Sequence, residues 1–252
     1  MKITLLQRDI VWGDAGENIR LADLAVKEAP KSDLYVLPEM FNTGFISEPA
    51  EVAEPENGPA LVWMKQMAAE LDAAIAGSVP VATQEGFRNR FYFVMPNGLE
   101  VHYDKRHLFT YGGEHKRYSA GEERVVVEFR GVRFLLSVCY DLRFPAWLRN
   151  NEDYDCLLTV ANWPTVRLGA WNTLLHARAI ENQCYVCGVN RVGNDPACEY
   201  SGGTMCIDAY GRDVEVCQSG VESAITVELD IDKLNSFRKK FPVLKDRDIF
   251  KF

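Results

Sequence analysis

The strongest constraint on the fold is the order of its hydrophobic patterns, in which short β-branched runs alternate with longer amphipathic stretches. The run ITLLQ near the start predicts a strand, residues 15–29 an amphipathic helix, and residues 33–37 a second strand. A second helix fits residues 59–71, because proline is favoured in a first helical turn, and the apolar strand AAIAGSV follows it. This succession predicts an α/β fold.

Two later segments predict antiparallel hairpins. Residues 96–98, Pro-Asn-Gly, separate FYFVMP from EVHYDK, and Asn-Gly readily adopts the positive φ that a tight hairpin turn needs. Arg130-Gly131 separates VVVEF from VRFLLSV, and a helix is predicted at about residues 166–182. Later strands are predicted in CLLTVAN, CYVCGVN and residues 223–229. The sheets are therefore expected to be mixed, and the absence of linkers and repeats predicts one domain over residues 1–252.

Charge and composition exclude some classes of partner. The net charge of -8 and pI near 5.1 argue against a nucleic-acid surface, which needs clustered Lys and Arg. No apolar run approaches the roughly 20 residues that span a bilayer, and the first residues do not resemble a signal peptide. Seven cysteines form an odd set that is expected to be reduced. These features predict a cytoplasmic protein without nucleic-acid or membrane partners.

Three segments place an ionisable residue where a predicted strand gives way to a loop, the usual position of catalytic groups in α/β proteins. The segments are LPEMF with Glu39, YDKRHL with Lys105, and VCYDLRFP with Cys139. In the third, an apolar strand delivers Cys139 to a turn before a short helix, as at a nucleophile elbow. We therefore expect the Cys139 thiol to be exposed and directed at a substrate.

A cysteine nucleophile needs a neighbouring cation or base, because a thiol with an ordinary pKa of about 8.5 is mostly protonated at neutral pH. If the three residues meet in space, the Lys105 ammonium favours the thiolate and the Glu39 carboxylate takes and returns protons. Taken singly, each residue also has a structural explanation. Glu39 could cap its loop, Lys105 could be a solvated strand end, and Cys139 could be a small buried hydrophobic residue.

The three segments together resemble the nitrilase superfamily of carbon-nitrogen hydrolases, and they do so most in its bacterial omega-amidase branch. That family carries a glutamate after Leu-Pro, a lysine in a Tyr-Asp-Lys-x-His-Leu strand end, and a cysteine in Cys-Tyr-Asp-Leu-Arg-Phe-Pro. Further similar segments are ANWP at residues 161–164, ARAIEN at 177–182 and FRKKFP at 237–242. The resemblance extends in order over nearly the whole chain.

The resemblance implies a four-layer α-β-β-α sandwich that usually forms homodimers or higher homo-oligomers. It implies that Cys139 attacks a small-molecule amide and forms a thioester, while the Lys105 ammonium and the Tyr140 backbone N–H hold the oxyanion. Glu39 would protonate the departing ammonia and then activate water. Glu114 matches a second family glutamate, which positions the lysine and the substrate; the alternative is a solvated loop carboxylate.

Omega-amidases hydrolyse 2-oxo acid amides such as 2-oxoglutaramate and 2-oxosuccinamate, whose carboxylate calls for a cation. Arg143 is a candidate because a guanidinium suits bidentate carboxylate binding, although it could instead form a structural ion pair with Asp141 or another acid. Trp163 is expected either to line the pocket or to pack in the core. Further pocket candidates are Phe41, Tyr111 and His115.

Two other hypotheses about the function remain open. The chain could be an N-carbamoyl amino acid amidohydrolase or another aliphatic amidase or nitrilase, or a non-catalytic binding protein on the same fold. Cys184 and Cys187 form a C-x-x-C, but strand alternation turns residues three apart to opposite faces, which disfavours chelation. No other metal or nucleotide motif is found. The sequence therefore predicts neither a metal nor a cofactor.

Overall fold

The structure is a computed structural model, and it describes residues 1–250. Its helices are α1 (Ala15–Glu28), α2 (Pro59–Leu71), α3 (Leu168–Asn182) and α4 (Ile231–Lys240). Its strands are β1 (Lys2–Gln7), β2 (Leu34–Val36), β3 (Glu54–Pro55), β4 (Ala74–Thr83), β5 (Gly86–Val94), β6 (Glu100–Asp104), β7 (Val126–Phe129), β8 (Val132–Val138), β9 (Cys156–Ala161), β10 (Tyr185–Asn190), β11 (Val192–Asn194), β12 (Glu199–Ser201), β13 (Met205–Ile207), β14 (Asp213–Val216) and β15 (Ser223–Glu228).

The strands form two mixed sheets and one small hairpin. The first sheet has the order β15-β1-β2-β4-β5-β6, with β3 also paired to β4, and its centre, β1-β2-β4, is parallel. The second sheet has the order β14-β13-β10-β9-β8-β7, and its centre, β8-β9-β10, is parallel. Among the described residues 1–250, strands β11 and β12 pair only with each other. Parallel centres bring the carboxyl ends of neighbouring strands to one edge of each sheet.

Side-chain alternation along the strands builds the layers. In the first sheet, Ile3 and Leu5 share a core with apolar residues of the second sheet, whereas Leu6 and Tyr35 belong to a core with α1 and α2. On the far face of the second sheet, α3 packs through Trp171 and Leu175. The result is the four-layer α-β-β-α sandwich that the resemblance implied. Within residues 1–250, no helix is both long enough and apolar enough to cross a membrane.

The local predictions agree well with the observed elements. Helix α2 has the predicted bounds, and both hairpins are present, with positive φ at Gly98 in the first turn and at Arg130 and Gly131 in the second. Helix α3 begins slightly later than predicted, because a 3-10 turn at Thr165–Arg167 precedes it.

One strand is longer than its pattern indicated. The apolar run AAIAGSV becomes β4, which continues through Pro80 to Thr83. Proline is tolerated there because β4 pairs with β2 at residues 74–76 and with β3 at residues 81–82, so within residues 1–250 Pro80 lies between the two ladders on that side.

Candidate active site

The three ionisable residues singled out in the sequence line one cavity of about 530 Å³. Lys105 directly follows β6 and Cys139 directly follows β8, so they come from different sheets. Glu39 lies just beyond the end of β2. The stacking of the two sheets therefore brings together residues that are 34 to 100 positions apart in the sequence.

The turn that carries Cys139 has the strained backbone of an elbow. Cys139 has a φ of 47°, a left-handed conformation that is uncommon for a residue with a side chain, and it begins a 3-10 turn that ends at Arg143. The buried carboxylate of Asp141 closes this turn by accepting a 2.9 Å hydrogen bond from the Val138 N–H. Cys139 is partly exposed. It is therefore not the fully buried hydrophobic residue of the structural alternative.

The same Asp141 carboxylate ties the cysteine turn to the strand end that carries Lys105. It accepts a 2.8 Å hydrogen bond from the Tyr103 hydroxyl and a 2.9 Å hydrogen bond from the His107 N–H, and the His107 ring Nδ1 lies 2.8 Å away. Tyr103 and His107 each stand two residues from Lys105. One buried carboxylate thus fixes the relative position of two of the three candidate residues.

Lys105 lies at the centre of a fully buried charge cluster. Its Nζ is 2.9 Å from Glu39 Oε1 and 3.0 Å from Glu114 Oε2, and all three side chains have 0% exposure. The Asn89 amide donates to both carboxylates, at 2.8 Å to Glu39 and 3.2 Å to Glu114. Neither the solvated strand end suggested for Lys105 nor the solvated loop carboxylate suggested for Glu114 is found.

The second oxygen of Glu39 is held from the other sheet. The Asn162 N–H donates to Glu39 Oε2 at 2.8 Å, and its side-chain amide donates to the Glu39 carbonyl at 2.7 Å. Asn162 directly follows β9, while Asn89 lies on β5. The sequence assigned no role to either residue. Asn89 stands between Arg88 and Arg90, so no apolar pattern around it indicated that its amide would be buried.

The electrostatics of this cluster shift the pKa values of Lys105, Glu114 and Cys139. Burial lowers the pKa of Lys105, but the charges of Glu114 and Glu39 outweigh it and raise that pKa well above its ordinary value. Burial raises the pKa of Glu114, and the Lys105 charge opposes that increase. Burial and the negative charge of Glu39 raise the pKa of the Cys139 thiol well above its ordinary value, against the opposing Lys105 charge. The ammonium thus acts in the predicted direction, but burial and the Glu39 charge outweigh it, so the pKa of the thiol is raised.

The cavity includes some of the predicted substrate-binding residues and omits others. Those that line it are Tyr111, Tyr140, Arg143 and Trp163. Phe41 does not line it, because its ring packs 5.7 Å from Trp63 in the core beneath α1 and α2. His115 does not line it either, because it lies exposed in the 3-10 turn Glu114–Lys116, with only the glutamate directed inward.

The alternatives for Arg143 and Trp163 have different outcomes. Arg143 is exposed, its Cζ lies 4.9 Å from the Trp163 ring, and it makes no ion pair with Asp141, whose oxygens are occupied by the contacts described above. Both interpretations of Trp163 apply, since it lines the cavity and its ring also packs 5.4 Å from that of Trp171 in the core. Its Nε1 donates a 2.8 Å hydrogen bond to the Arg167 carbonyl.

The far wall of the cavity was not found from the sequence. It comes from the β11–β12 hairpin, whose tip contributes Asp195, Pro196, Ala197 and Cys198, together with Trp12, Phe45 and Arg167 from other loops. Asp195 folds the tip by accepting hydrogen bonds from the N–H groups of Ala197 and Cys198. A short Asp-Pro turn gives no indication of the site that it faces.

Comparison with known proteins agrees with this architecture. The family model for carbon-nitrogen hydrolases matches residues 2–239. Omega-amidase YafV of Escherichia coli (strain K12) is 46% identical over 252 residues, covering 100% of this chain and 98% of the relative. A 2-oxoglutaramate amidase of Bacillus subtilis is 37% identical over 97% of this chain and 96% of its own length.

Among solved structures, a CN-hydrolase superfamily protein of Xanthomonas campestris superimposes with a TM-score of 0.97 at 42% identity, covering 100% of this chain and 98% of that one. These matches define an amide-hydrolysing enzyme with the nitrilase-type sandwich. The chain belongs to the carbon-nitrogen hydrolase family, which confirms the resemblance drawn from its three motifs.

Proposed function

We propose that this enzyme hydrolyses the ω-amide of 2-oxo dicarboxylic acid monoamides, such as 2-oxoglutaramate and 2-oxosuccinamate, to the dicarboxylate and ammonia. The observation that carries the proposal is the meeting of a thiol, an ammonium and a carboxylate at one cavity. The substrate class is supported by the relatives named omega-amidase and 2-oxoglutaramate amidase.

The first step is attack by the Cys139 sulfur on the amide carbon. Because burial raises the pKa of the Cys139 thiol, its proton leaves as the C–S bond forms, and the neighbouring Glu39 carboxylate is the base that accepts it. The electron pair of the carbonyl π bond moves to oxygen and creates an oxyanion. The thiolate therefore exists only when a substrate is in place.

The oxyanion is held by the Lys105 ammonium and the Tyr140 backbone N–H. An ammonium has three N–H donors, and the contacts with Glu39 and Glu114 leave one for the substrate oxygen. Tyr140 follows the nucleophile in the elbow, where its N–H belongs to the same turn. A placed donor of this kind is worth about 3 to 4 kcal/mol of transition-state stabilisation.

Collapse of the oxyanion breaks the C–N bond. Glu39 returns its proton to the nitrogen, so ammonia leaves and a thioester to Cys139 remains. Glu39 then takes a proton from a water molecule, whose oxygen attacks the thioester carbon, and the sulfur departs with that proton. The two halves of the reaction thus use one carboxylate in turn as base and acid.

Glu114 and the two asparagines hold the Glu39 carboxylate and the Lys105 ammonium in fixed positions. Glu114 lies 3.0 Å from Lys105, and its Oε2 also accepts a 2.6 Å hydrogen bond from the Phe109 N–H. We assign Glu114 to the positioning of Lys105 and of the substrate amide. Asn89 joins both carboxylates and, like Asn162, holds Glu39 in one rotamer.

The carboxylate end of the substrate calls for a cation in the cavity. Arg143 is exposed at the cavity and has no acidic partner among residues 1–250. We assign it to the attraction of the anionic substrate, with Trp163 and Tyr111 as apolar walls. We also propose that residues 1–252 form one catalytic domain that acts in the cytoplasm as a homodimer. The expected mass in sedimentation equilibrium is twice the 28.5 kDa of the chain.

The test is a screen for ammonia release with purified protein. The substrates are 2-oxoglutaramate, 2-oxosuccinamate, glutamine, asparagine, N-carbamoyl amino acids and aliphatic nitriles. We expect the two oxo-amides to be preferred and Cys139→Ala to abolish their turnover. Cys217→Ala is the matched control, because it removes a buried thiol that does not line the cavity.

Three results would contradict the proposal. Equal turnover by wild type and Cys139→Ala would show that Cys139 is not the nucleophile. Preference for carbamoyl compounds, with release of carbon dioxide, would indicate the amidohydrolase alternative. Binding of oxo-amides without any turnover would indicate a non-catalytic protein.

A further inference from the structure

A second guanidinium lines the cavity without an acidic partner. Arg167 ends the 3-10 turn Thr165–Arg167 and is half-buried. Its Cζ lies 5.4 Å from the Phe109 ring, and this is the one side-chain interaction found for it among residues 1–250. A half-buried guanidinium without a carboxylate is uncommon, because burial removes its hydration while leaving its donors unused.

The other charged groups that line the cavity are already engaged or face solvent. Lys105 is occupied by two carboxylates, and Asp195 accepts three hydrogen bonds within its own turn. Glu48 is paired with Arg117. Glu51 is exposed at the mouth of the cavity.

The two arginines differ in how far they are withdrawn from water. Arg143 is exposed, whereas Arg167 is half-buried, so an ion pair with Arg167 is less screened. Each guanidinium lies over an aromatic ring, with its Cζ 4.9 Å from the ring centroid for Arg143 and 5.4 Å for Arg167. Such a contact restrains a guanidinium without using its N–H donors, which stay available for bidentate hydrogen bonds. The Trp163 ring that Arg143 contacts also donates a hydrogen bond from its Nε1 to the Arg167 carbonyl. Trp163 therefore contacts both arginines.

We propose that Arg167 is the principal specificity-determining residue for the anionic end of the substrate and binds its carboxylate directly, while Arg143 attracts the anion from outside. This inference rests on the proposed amidase function and deepens it. It identifies the substrate class as ω-amides that end in a carboxylate, in preference to neutral amides of the same length.

The test compares glutaric acid monoamide with the methyl ester of that compound, in which the carboxylate charge is removed at the cost of one added methyl group. The variants are Arg167→Gln, Arg167→Lys and Arg143→Gln, and Arg20→Gln on the exposed face of α1 is the control for a change in net charge. The hydrogen bond to Trp163 uses the Arg167 backbone carbonyl, so it survives all substitutions of that side chain.

We expect wild type to prefer the acid over the ester in kcat/KM. Arg167→Gln should lose about 10- to 100-fold on the acid, through KM more than kcat, because a charge-assisted hydrogen bond is lost, and should keep its activity on the ester. Arg167→Lys should recover only part of the loss, since an ammonium cannot bind bidentately. Arg143→Gln should show a smaller loss that disappears at high salt.

Each contrary outcome identifies what has failed. Equal losses on acid and ester for Arg167→Gln would make Arg167 structural and overturn the inference. A larger loss for Arg143→Gln than for Arg167→Gln would also overturn it, because Arg143 would then be the principal cation. Turnover of neither substrate nor of 2-oxoglutaramate by wild type would overturn the proposed function itself.

Discussion

Two regions of the same cavity use cations in opposite ways. At its base, Lys105 is fully buried and bonded to Glu39 and Glu114, which are also fully buried. On its wall, Arg143 and Arg167 touch aromatic rings and have no ion pair within residues 1–250. The charges at the base are paired with one another, whereas the two guanidinium groups on the wall have no carboxylate partner among residues 1–250.

The difference follows from the task of each region. Groups that handle protons must keep one geometry through several steps, and burial with full hydrogen bonding gives that rigidity. Groups that recognise a substrate must leave donors for it, so they stay partly solvated until it arrives. The burial of a charged side chain therefore indicates its role only when its hydrogen-bond and ion-pair partners are also known. Four experiments test this contrast.

The largest effect is expected at the base of the cavity. Glu39→Gln keeps the shape of the side chain but removes the base, so kcat should fall by about 10²- to 10⁴-fold. Glu48→Gln at the mouth, where the carboxylate is 61% exposed, should change kcat by less than about twofold. Steady-state kinetics on 2-oxoglutaramate measures both. Similar losses of kcat in the two variants would show that the carboxylate at the bottom of the cavity is no more important for turnover than an exposed one at its mouth.

The next effect is on stability. Lys105→Met leaves two buried carboxylates uncompensated and should lower the free energy of unfolding by about 3 to 5 kcal/mol, whereas Arg143→Met should change it by less than about 0.5 kcal/mol. Because the pKa of Lys105 is raised in the folded state, its contribution is complete below the ordinary value of 10.5 and is lost as pH rises through the folded-state value.

Urea unfolding of the Lys105 and Arg143 variants at pH 8 and pH 11 checks both statements. The difference between wild type and Lys105→Met should be undiminished at pH 8 and should begin to shrink above pH 10.5. A difference that grows with alkaline pH would have the wrong sign for a stabilising buried ammonium.

A smaller loss is expected where the elbow is tied to the lysine strand. Asp141→Asn replaces an acceptor of several hydrogen bonds and should cost about 2 to 3 kcal/mol of stability, with a fall in kcat because Cys139 and Lys105 lose their common anchor. Asp195→Asn, in the partly exposed hairpin tip on the wall, should cost about 1 kcal/mol. Thermal unfolding and kcat of both variants measure the contrast, and equal costs would count against it.

The smallest signal concerns the thiol itself. Because the pKa of Cys139 is raised well above its ordinary value, the free enzyme should show no Cys139 thiolate between pH 7 and pH 9. The measurement is the absorbance at 240 nm of wild type minus that of Cys139→Ala. The same difference in urea-unfolded protein should rise near pH 9 and serves as the control. A folded-state rise below pH 8 would mean that Lys105 outweighs burial.

The sequence determined more of the local structure than of the cavity. Hydrophobic period and turn residues specified most elements, because these signals act between neighbours in the chain. The strand-end positions of Glu39, Lys105 and Cys139, together with the family resemblance, indicated the site. The extension of β4 through Pro80 was not predictable, because it depends on a gap between two partner strands.

Single residues show where sequence reasoning stopped. Glu114 and His115 are adjacent and polar, yet only Glu114 is directed into the charge cluster. Phe41 follows Glu39 by two positions, yet it packs under the helices. The direction of a side chain in a short turn depends on the backbone angles of that turn and on the element that covers it.

The order of strands and helices, the family and the available chemical groups follow from the sequence alone. The contacts of Asn89 and Asn162 with Glu39, the raised pKa of the Cys139 thiol and the place of Arg167 at the cavity follow from the packing of the fold. The physical reason is that pattern and propensity act locally along the chain. Desolvation and charge pairing, in contrast, depend on distances between atoms that only the packing of two sheets brings together.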